Sequence, residues 1–269
     1  MIGQENLKSQ IERLIENDTF PRFSIFVGPK GSGKKTLLLE MFDGIYLEDN
    51  KADSVRKMIE MVYRIGNRTF IMPDADTMSN AAKNALLKVI EECPNNNYFI
   101  MTLEDENNTL ETIRSRGTVF RMDRYTPDEI MQYITEKYGS TAEDNVDIFK
   151  SICDTPGDAD ILAKCGVKSF YDYVRLVVNK IAKVSLANAF KISDKLSLKE
   201  GADGYDLRLF WKAFMKITFD TKVGYENWGL AVEITSNYLQ KLRVKGINKQ
   251  MLVDNWILEI RSVWNDKEN

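Results

Sequence analysis

The chain contains no histidine in 269 residues. Imidazole therefore serves nowhere as a nucleophile's base, as a proton shuttle near neutral pH or as a metal ligand. Cysteine is scarce: Cys93, Cys153 and Cys165 are the three, and no two form a CxxC pair. That count excludes a framework of several disulfides and a zinc site of four cysteines. So sparse and odd a set suits a reducing compartment. No apolar run approaches the roughly 18 residues of a membrane-spanning helix. The first residues, MIGQENLKSQ, lack a basic start followed by an apolar core; no secretory leader is expected, and the expected location is cytoplasmic. Nor does one sign of charge dominate: 37 Lys and Arg stand against 40 Asp and Glu, a net charge of −3. A protein that coats nucleic acid by bulk charge is thereby excluded, so any such contact has to be local or shared with partners.

What is present is enough apolar and charged residue, 43% and 29%, to bury a core and stay soluble. At about 100–200 residues per domain the length suits two domains. Charge is uneven along the chain, with a net −2 over residues 1–124, −5 over 125–168 and +4 over 169–269.

The first part alternates strand and helix signals. Helical spacing of apolar residues covers 2–15, 35–42, 53–65 and 79–92, and short apolar runs at 23–27, 68–72, 98–102 and 118–122 read as strands. Strands separated by helices argue for a parallel sheet in an α/β layer. Ser79 is placed to cap the helix that follows it. Past residue 122 strand signals stop. Helices are expected at 128–138, 144–153 and just after Gly157, then as long elements from 169 onward. The turn-rich stretch 199–204 reads as a loop. The methionines and aromatic stripes of the last third, such as Leu207, Phe210, Trp211, Phe214 and Ile217, have the spacing of a packed helical core rather than of a cofactor site. The expected organisation is an α/β P-loop domain over 1–122, a small helical lid over 123–168 and an all-helical domain over 169–269.

Residues 28–36 read Gly-Pro-Lys-Gly-Ser-Gly-Lys-Lys-Thr and lie between a predicted strand and a predicted helix, the context a phosphate-binding loop needs. Gly28, Gly31 and Gly33 let backbone N–H groups turn inward. The helix start adds its dipole, and Lys34 can reach phosphate oxygens. One position departs from the motif. A Ser or Thr that ligates Mg²⁺ should follow the lysine, but Lys35 stands there, and its ammonium would compete with the metal. Thr36 comes one residue late, which on a helix turns it roughly 100° away. The second strand should end in carboxylates that hold Mg²⁺ and polarise water. Pro73 stands where the metal-binding Asp would, Asp74 where a Glu would, and Asp76 follows. Two separate motifs have thus lost their magnesium handles.

These residues resemble the AAA+ subunits of replicative sliding-clamp loaders, and among them the bacterial DNA polymerase III delta-prime subunits most. The likeness begins at Ile2-Gly3-Gln4-Glu5 and runs through the phosphate loop. It is most specific over residues 75–92, which are similar to the family's AD-x-M-x-x-x-A-x-N-x-LLK-x-x-EE helix, and it ends in Thr112-Ile113-Arg114-Ser115-Arg116, similar to T-I-x-S-R-C. The resemblance implies that Arg116 reaches into a neighbouring subunit's ATP site. It sets Thr102 near a sensor threonine and puts Asp160 where active members carry a sensor arginine. Gly117 stands where the family usually has Cys. The zinc module of bacterial members is missing, because no cysteine lies between Thr36 and Phe70. Arg56, Lys57, Ser79, Asn80 and Lys83 match positions that track DNA phosphates.

The implied role is a stator without ATPase activity of its own, within an ATP-dependent clamp-loading complex. The implied partners are other loader subunits, the sliding clamp and primer–template DNA, with no membrane. ATP or ADP is the implied ligand, the two defects argue against magnesium, and no zinc is expected. Two alternatives stand beside this: a working ATPase that uses Asp74 or Asp76 in an unusual magnesium shell, and an AAA+-derived adaptor outside replication.

Overall fold

A computed structural model describes residues 2–139, 144–198, 204–221, 227–242, 244 and 246–265. They fall into two units, Met1–Tyr125 and Thr126–Asn269. In the first, β1 (Phe23–Val27), β2 (Gly44–Tyr46), β3 (Thr69–Met72), β4 (Tyr98–Leu103) and β5 (Thr118–Arg121) form one sheet in the order β2-β3-β4-β1-β5. Every neighbouring pair is parallel. The helices are α1 (Glu5–Glu16), α2 (Lys34–Met41), α3 (Ala52–Arg64), α4 (Asn80–Glu92) and α5 (Glu111–Arg114).

The two faces of the sheet are covered by different helices. Leu7 and Ile11 of α1 and Leu37 and Leu38 of α2 pack with Phe26, Ile71, Ile100 and Phe120. Val55, Met58 and Val62 of α3 and Leu86, Val89 and Ile90 of α4 pack with Ile25, Phe70, Met72, Phe99 and Met101. Strands buried on both faces need apolar residues at every position, which is why they read as continuous apolar runs and not as alternation. The edge strand β2 was not expected from the sequence. It is three residues long, half-buried throughout, and carries no such run.

The ends of the elements follow local chemistry. Ser79 caps α4, its hydroxyl accepting from the Ala82 N–H at 3.2 Å. Gln4 is 4% exposed. Its amide donates to the Asp123 carbonyl and accepts from the Asp123 N–H, at 2.9 and 2.7 Å, and so ties the start of the chain to the end of β5. Gly117 has a steric reason: a Cβ there would lie 2.7 Å from the buried Ile25 side chain.

Among its described residues the second unit is helical apart from a two-residue parallel pair, β6 (Leu196–Ser197) with β7 (Tyr205–Asp206), which no apolar run in the sequence signals. Its helices are α6 (Pro127–Tyr138), α7 (Val146–Ile152), α8 (Pro156–Cys165), α9 (Val167–Lys180), α10 (Leu186–Phe190), α11 (Leu207–Thr221), α12 (Trp228–Lys241) and α13 (Lys249–Asn265). The loop expected at 199–204 lies outside the described residues except for Gly204. Thr126 opens α6 with a capping box, its hydroxyl accepting from the Glu129 N–H while the Glu129 carboxylate accepts from the Thr126 N–H. The aromatic stripe of α11 is core: Phe210, Trp211 and Phe214 are fully buried and pack on Trp256 with ring centroids 5.7, 5.9 and 5.0 Å away. Among the described residues no helix is long and apolar enough to cross a membrane.

Charge pairing joins these helices. Asp158, fully buried at the start of α8, accepts from Arg208 at 2.7 Å and from Lys212 at 2.6 Å. Lys212 and Lys216 also hold Asp154. Asp160, which the resemblance sets at a sensor arginine's position, is engaged within its own unit, by the Tyr133 hydroxyl, the Lys137 ammonium and the Tyr138 hydroxyl at 2.8–2.9 Å. Burial pushes the Asp160 carboxyl up, but these donors outweigh it and hold the group below its ordinary range.

All four tryptophans, Trp211, Trp228, Trp256 and Trp264, lie in the second unit, so their fluorescence follows its unfolding. Replacing Asp158 by Ala strands the Arg208 guanidinium, which is 21% exposed, and leaves Lys212 with Asp154 alone, and the expected loss is about 3 kcal/mol, read as a lower urea midpoint; a loss under about 1 kcal/mol would contradict the pairing. A carboxyl depressed in the fold contributes stability above its unfolded pKa of about 3.9 and loses it as pH falls through the lower folded value. Asp160→Asn is therefore expected to flatten the decline of the urea midpoint below about pH 4, and an unchanged slope would remove Asp160 as its source.

Candidate functional site

The C-terminal edge of the sheet brings together the loop after β1 and the ends of β3, β4 and β5. Ligands of open parallel sheets bind at such an edge. Gly28 donates its N–H to the Leu103 carbonyl at 3.1 Å, and Met122 donates to the Val27 carbonyl at 2.8 Å. A side chain on Gly28 would collide with Met122, at 2.6 Å, and with the Ser32 hydroxyl, at 2.9 Å. Gly31 and Gly33 have φ of 82° and 83°, the left-handed region that glycine enters at least cost, and Gly33 leads directly into α2. The loop thus has the backbone of a phosphate cradle.

Lys34 is 7% exposed. Its ammonium donates to the Gly28 carbonyl at 2.6 Å and to the Pro29 carbonyl at 3.1 Å. Burial pushes its pKa down, while the carboxylates of Glu104, Asp74 and Asp76 pull it back up. Glu104 belongs to no sequence motif, and its one signal is an acidic residue directly after a core strand. Lys35 and Thr36 are both exposed on the first turn of α2. Ser32 is 1% exposed, and its hydroxyl has no hydrogen-bond partner among the described residues, while its carbonyl accepts from the Tyr125 hydroxyl at 2.9 Å.

The end of β3 is held by hydrogen bonds to backbone. Asp74 has φ 49°, and its N–H donates to the Thr102 hydroxyl at 2.8 Å. The Asn50 amide donates to the carbonyls of Pro73 and Asp74 at 3.0 and 2.9 Å. The Asp76 carboxylate accepts from the Glu104 N–H at 2.8 Å and from the Asp105 N–H at 3.5 Å. Pro73 offers no side-chain oxygen. The residues present suit a phosphate chain; of the usual octahedral magnesium shell the hydroxyl after Lys34 and the carboxylate at 73 are missing, and the Asp74 and Glu104 carboxylates stand near the Lys34 ammonium.

Arg116 follows α5 and is 39% exposed; it pairs with Glu91 of α4 at 2.5 Å and donates to the Thr112 carbonyl at 2.6 Å. Of the residues expected to track DNA, Arg56 is exposed and paired with Asp53 at 3.1 Å, while Lys57, Ser79 and Asn80 are exposed. Lys83 departs from the expectation. It is 4% exposed, and its ammonium donates to the Asn108 carbonyl at 2.6 Å. Near the start of an amphipathic helix a lysine reads as solvated, but this side chain turns inward to satisfy a carbonyl of the 106–108 turn.

The fold has counterparts among solved structures. A DNA polymerase III gamma subunit-related protein from Thermotoga maritima superposes with a TM-score of 0.51 at 17% identity over 96% of this chain and 98% of its own. The RuvB Holliday junction branch migration motor of the same organism gives 0.51 at 15% identity, over 98% and 86%. In sequence the likeness is to clamp-loader subunits. Residues 52–126 match the family described as DNA polymerase III, delta subunit. Replication factor C subunit 5 of Mus musculus is 27% identical over 168 residues, 55% of this chain and 48% of that protein. Replication factor C small subunit 1 of Pyrobaculum islandicum is 28% identical over 171 residues, 55% and 52%. The chain thus spans about half the length of the curated relatives it matches.

Removing the Asp76 carboxylate leaves the Glu104 and Asp105 amides unpaired, so Asp76→Ala is expected to cost about 1–3 kcal/mol. It should also speed hydrogen exchange at those two amides; unchanged exchange would mean that the carboxylate is not committed to the turn.

Proposed function

We propose that the chain is a subunit of a sliding-clamp loader in DNA replication: a delta-prime-like stator that does not hydrolyse ATP and offers Arg116 to the nucleotide of a neighbouring ATPase subunit. The observation that carries this reading is the fate of the magnesium handles. Lys35 replaces the hydroxyl, Pro73 replaces a carboxylate, and Asp76 is committed to two backbone amides. A loop and strand end of this kind hold phosphate but lack the hydroxyl and the carboxylate at 73 that place a metal, and Asp74 is one methylene shorter than the Glu that polarises water. The likeness of residues 52–126 to the DNA polymerase III family supports the clamp-loader setting.

The Arg116–Glu91 pair joins two groups that are 39% and 47% exposed. Such a pair contributes at most about 1 kcal/mol, so a neighbour's phosphoryl group can take the guanidinium from it. In this reading residues 123–168 are a lid and 169–269 a collar. Other loader subunits, the sliding clamp and primer–template DNA are the partners, and the location is cytoplasmic. The exposed Arg56, Lys57, Ser79 and Asn80 lie toward DNA phosphates. ATP or ADP is the ligand of the loop.

Two measurements test this. The purified chain is expected to turn over ATP no faster than its Lys34→Ala variant; turnover above that control supports an ATPase with a rebuilt magnesium shell and overturns the stator. In the reconstituted loader, Arg116→Ala is expected to lower DNA-stimulated ATP hydrolysis at least about tenfold, and undiminished hydrolysis would exclude Arg116 as the arginine supplied in trans.

A further inference from the structure

We propose that the loop at 28–36 binds a nucleoside di- or triphosphate without magnesium, the Lys35 ammonium taking the place of the metal ion. This rests on reading that loop as a nucleotide site and not on clamp loading. The cradle is intact: Gly31 and Gly33 hold left-handed conformations, and the open amides of the α2 start follow them. Ser32 adds an independent sign. Its hydroxyl is buried inside the loop, 2.9 Å from where a Gly28 Cβ would sit, and finds no acceptor among the described residues. A phosphate oxygen in the cradle supplies the kind of acceptor that it lacks.

The metal's own place is filled differently. Magnesium demands near-octahedral oxygen ligands, usually including a carboxylate. Here the position after Lys34 carries an ammonium, Pro73 has no side-chain oxygen to give, and the Asp76 carboxylate is held by the amides of Glu104 and Asp105. A dication set beside Lys34 and Lys35 would be repelled by both, and the Asp74, Asp76 and Glu104 carboxylates nearby already offset the Lys34 charge. A nucleotide without its magnesium carries several negative charges that need neutralising, and two ammoniums with a helix start are the groups that do so. Lys35 is exposed on the first turn of α2 and makes no hydrogen bond or ion pair among the described residues. Nothing has to break for it to close on the phosphates.

The test is the affinity of the full chain for a fluorescent ADP analogue, measured in EDTA and in excess Mg²⁺. The expected dissociation constants agree within about threefold. In EDTA, Lys35→Ala is expected to weaken binding at least about tenfold, while Lys35→Arg, which keeps the charge, retains it. The thermal unfolding midpoints of both variants should match the parent, since the side chain has no partner to lose. Binding that falls tenfold or more (about 1.4 kcal/mol) when magnesium is removed, or a Lys35→Ala variant that binds in EDTA as the parent does, overturns the proposal. Binding in neither buffer also overturns it, together with the nucleotide reading of the loop. The stator role would survive that result, because it asks for no nucleotide in the chain's own loop.

Discussion

Buried backbone amides and carbonyls must find partners, and at the C-terminal edge of a parallel sheet the ladder no longer supplies them. In this protein that demand is met by side chains of the kind an ATPase would use for metal and water. Asp76 serves the Glu104 and Asp105 amides, Thr102 serves the Asp74 amide, and Asn50 serves the Pro73 and Asp74 carbonyls. Lys34 serves the carbonyls of its own loop. The end of β3 and the start of the loop after β4 are thereby tied together, while the phosphate loop keeps its helix-start amides open.

The same economy appears in the second unit. Asp160 is bound by Tyr133, Lys137 and Tyr138 of α6. Asp158 is bound by Arg208 and Lys212 of α11. Neither carboxylate is left to act on a nucleotide. Carboxylates committed in this way suit the stator role proposed above. Arg116 is the exception, since its partner Glu91 is a half-exposed surface carboxylate and not a buried group.

Much of this was legible in the sequence because it is local. The apolar run at 23–27 followed by three glycines and Lys34 gives β1, the loop and α2, and Ser79 caps its helix as its position suggests. The parallel sheet with helices on both faces follows from continuous apolar runs between amphipathic segments. What escaped depends on partners distant in sequence. Asn97 is fully buried because its amide donates to the Val62 and Ile65 carbonyls. Lys83 is buried because a turn 25 residues later presents the Asn108 carbonyl. Gly117 is explained only once β1 is seen to press Ile25 against it. A commitment such as Asp76 to the end of β4 is likewise invisible until the strands are paired.

The central claim is that this chain works as a non-hydrolysing member of a loader ring, and native mass spectrometry of the purified protein mixed with its host's clamp-loader ATPase subunits and sliding clamp tests it most directly. The account predicts a defined hetero-oligomer that contains this chain together with those ATPase subunits. A chain that stays outside every such complex would contradict it.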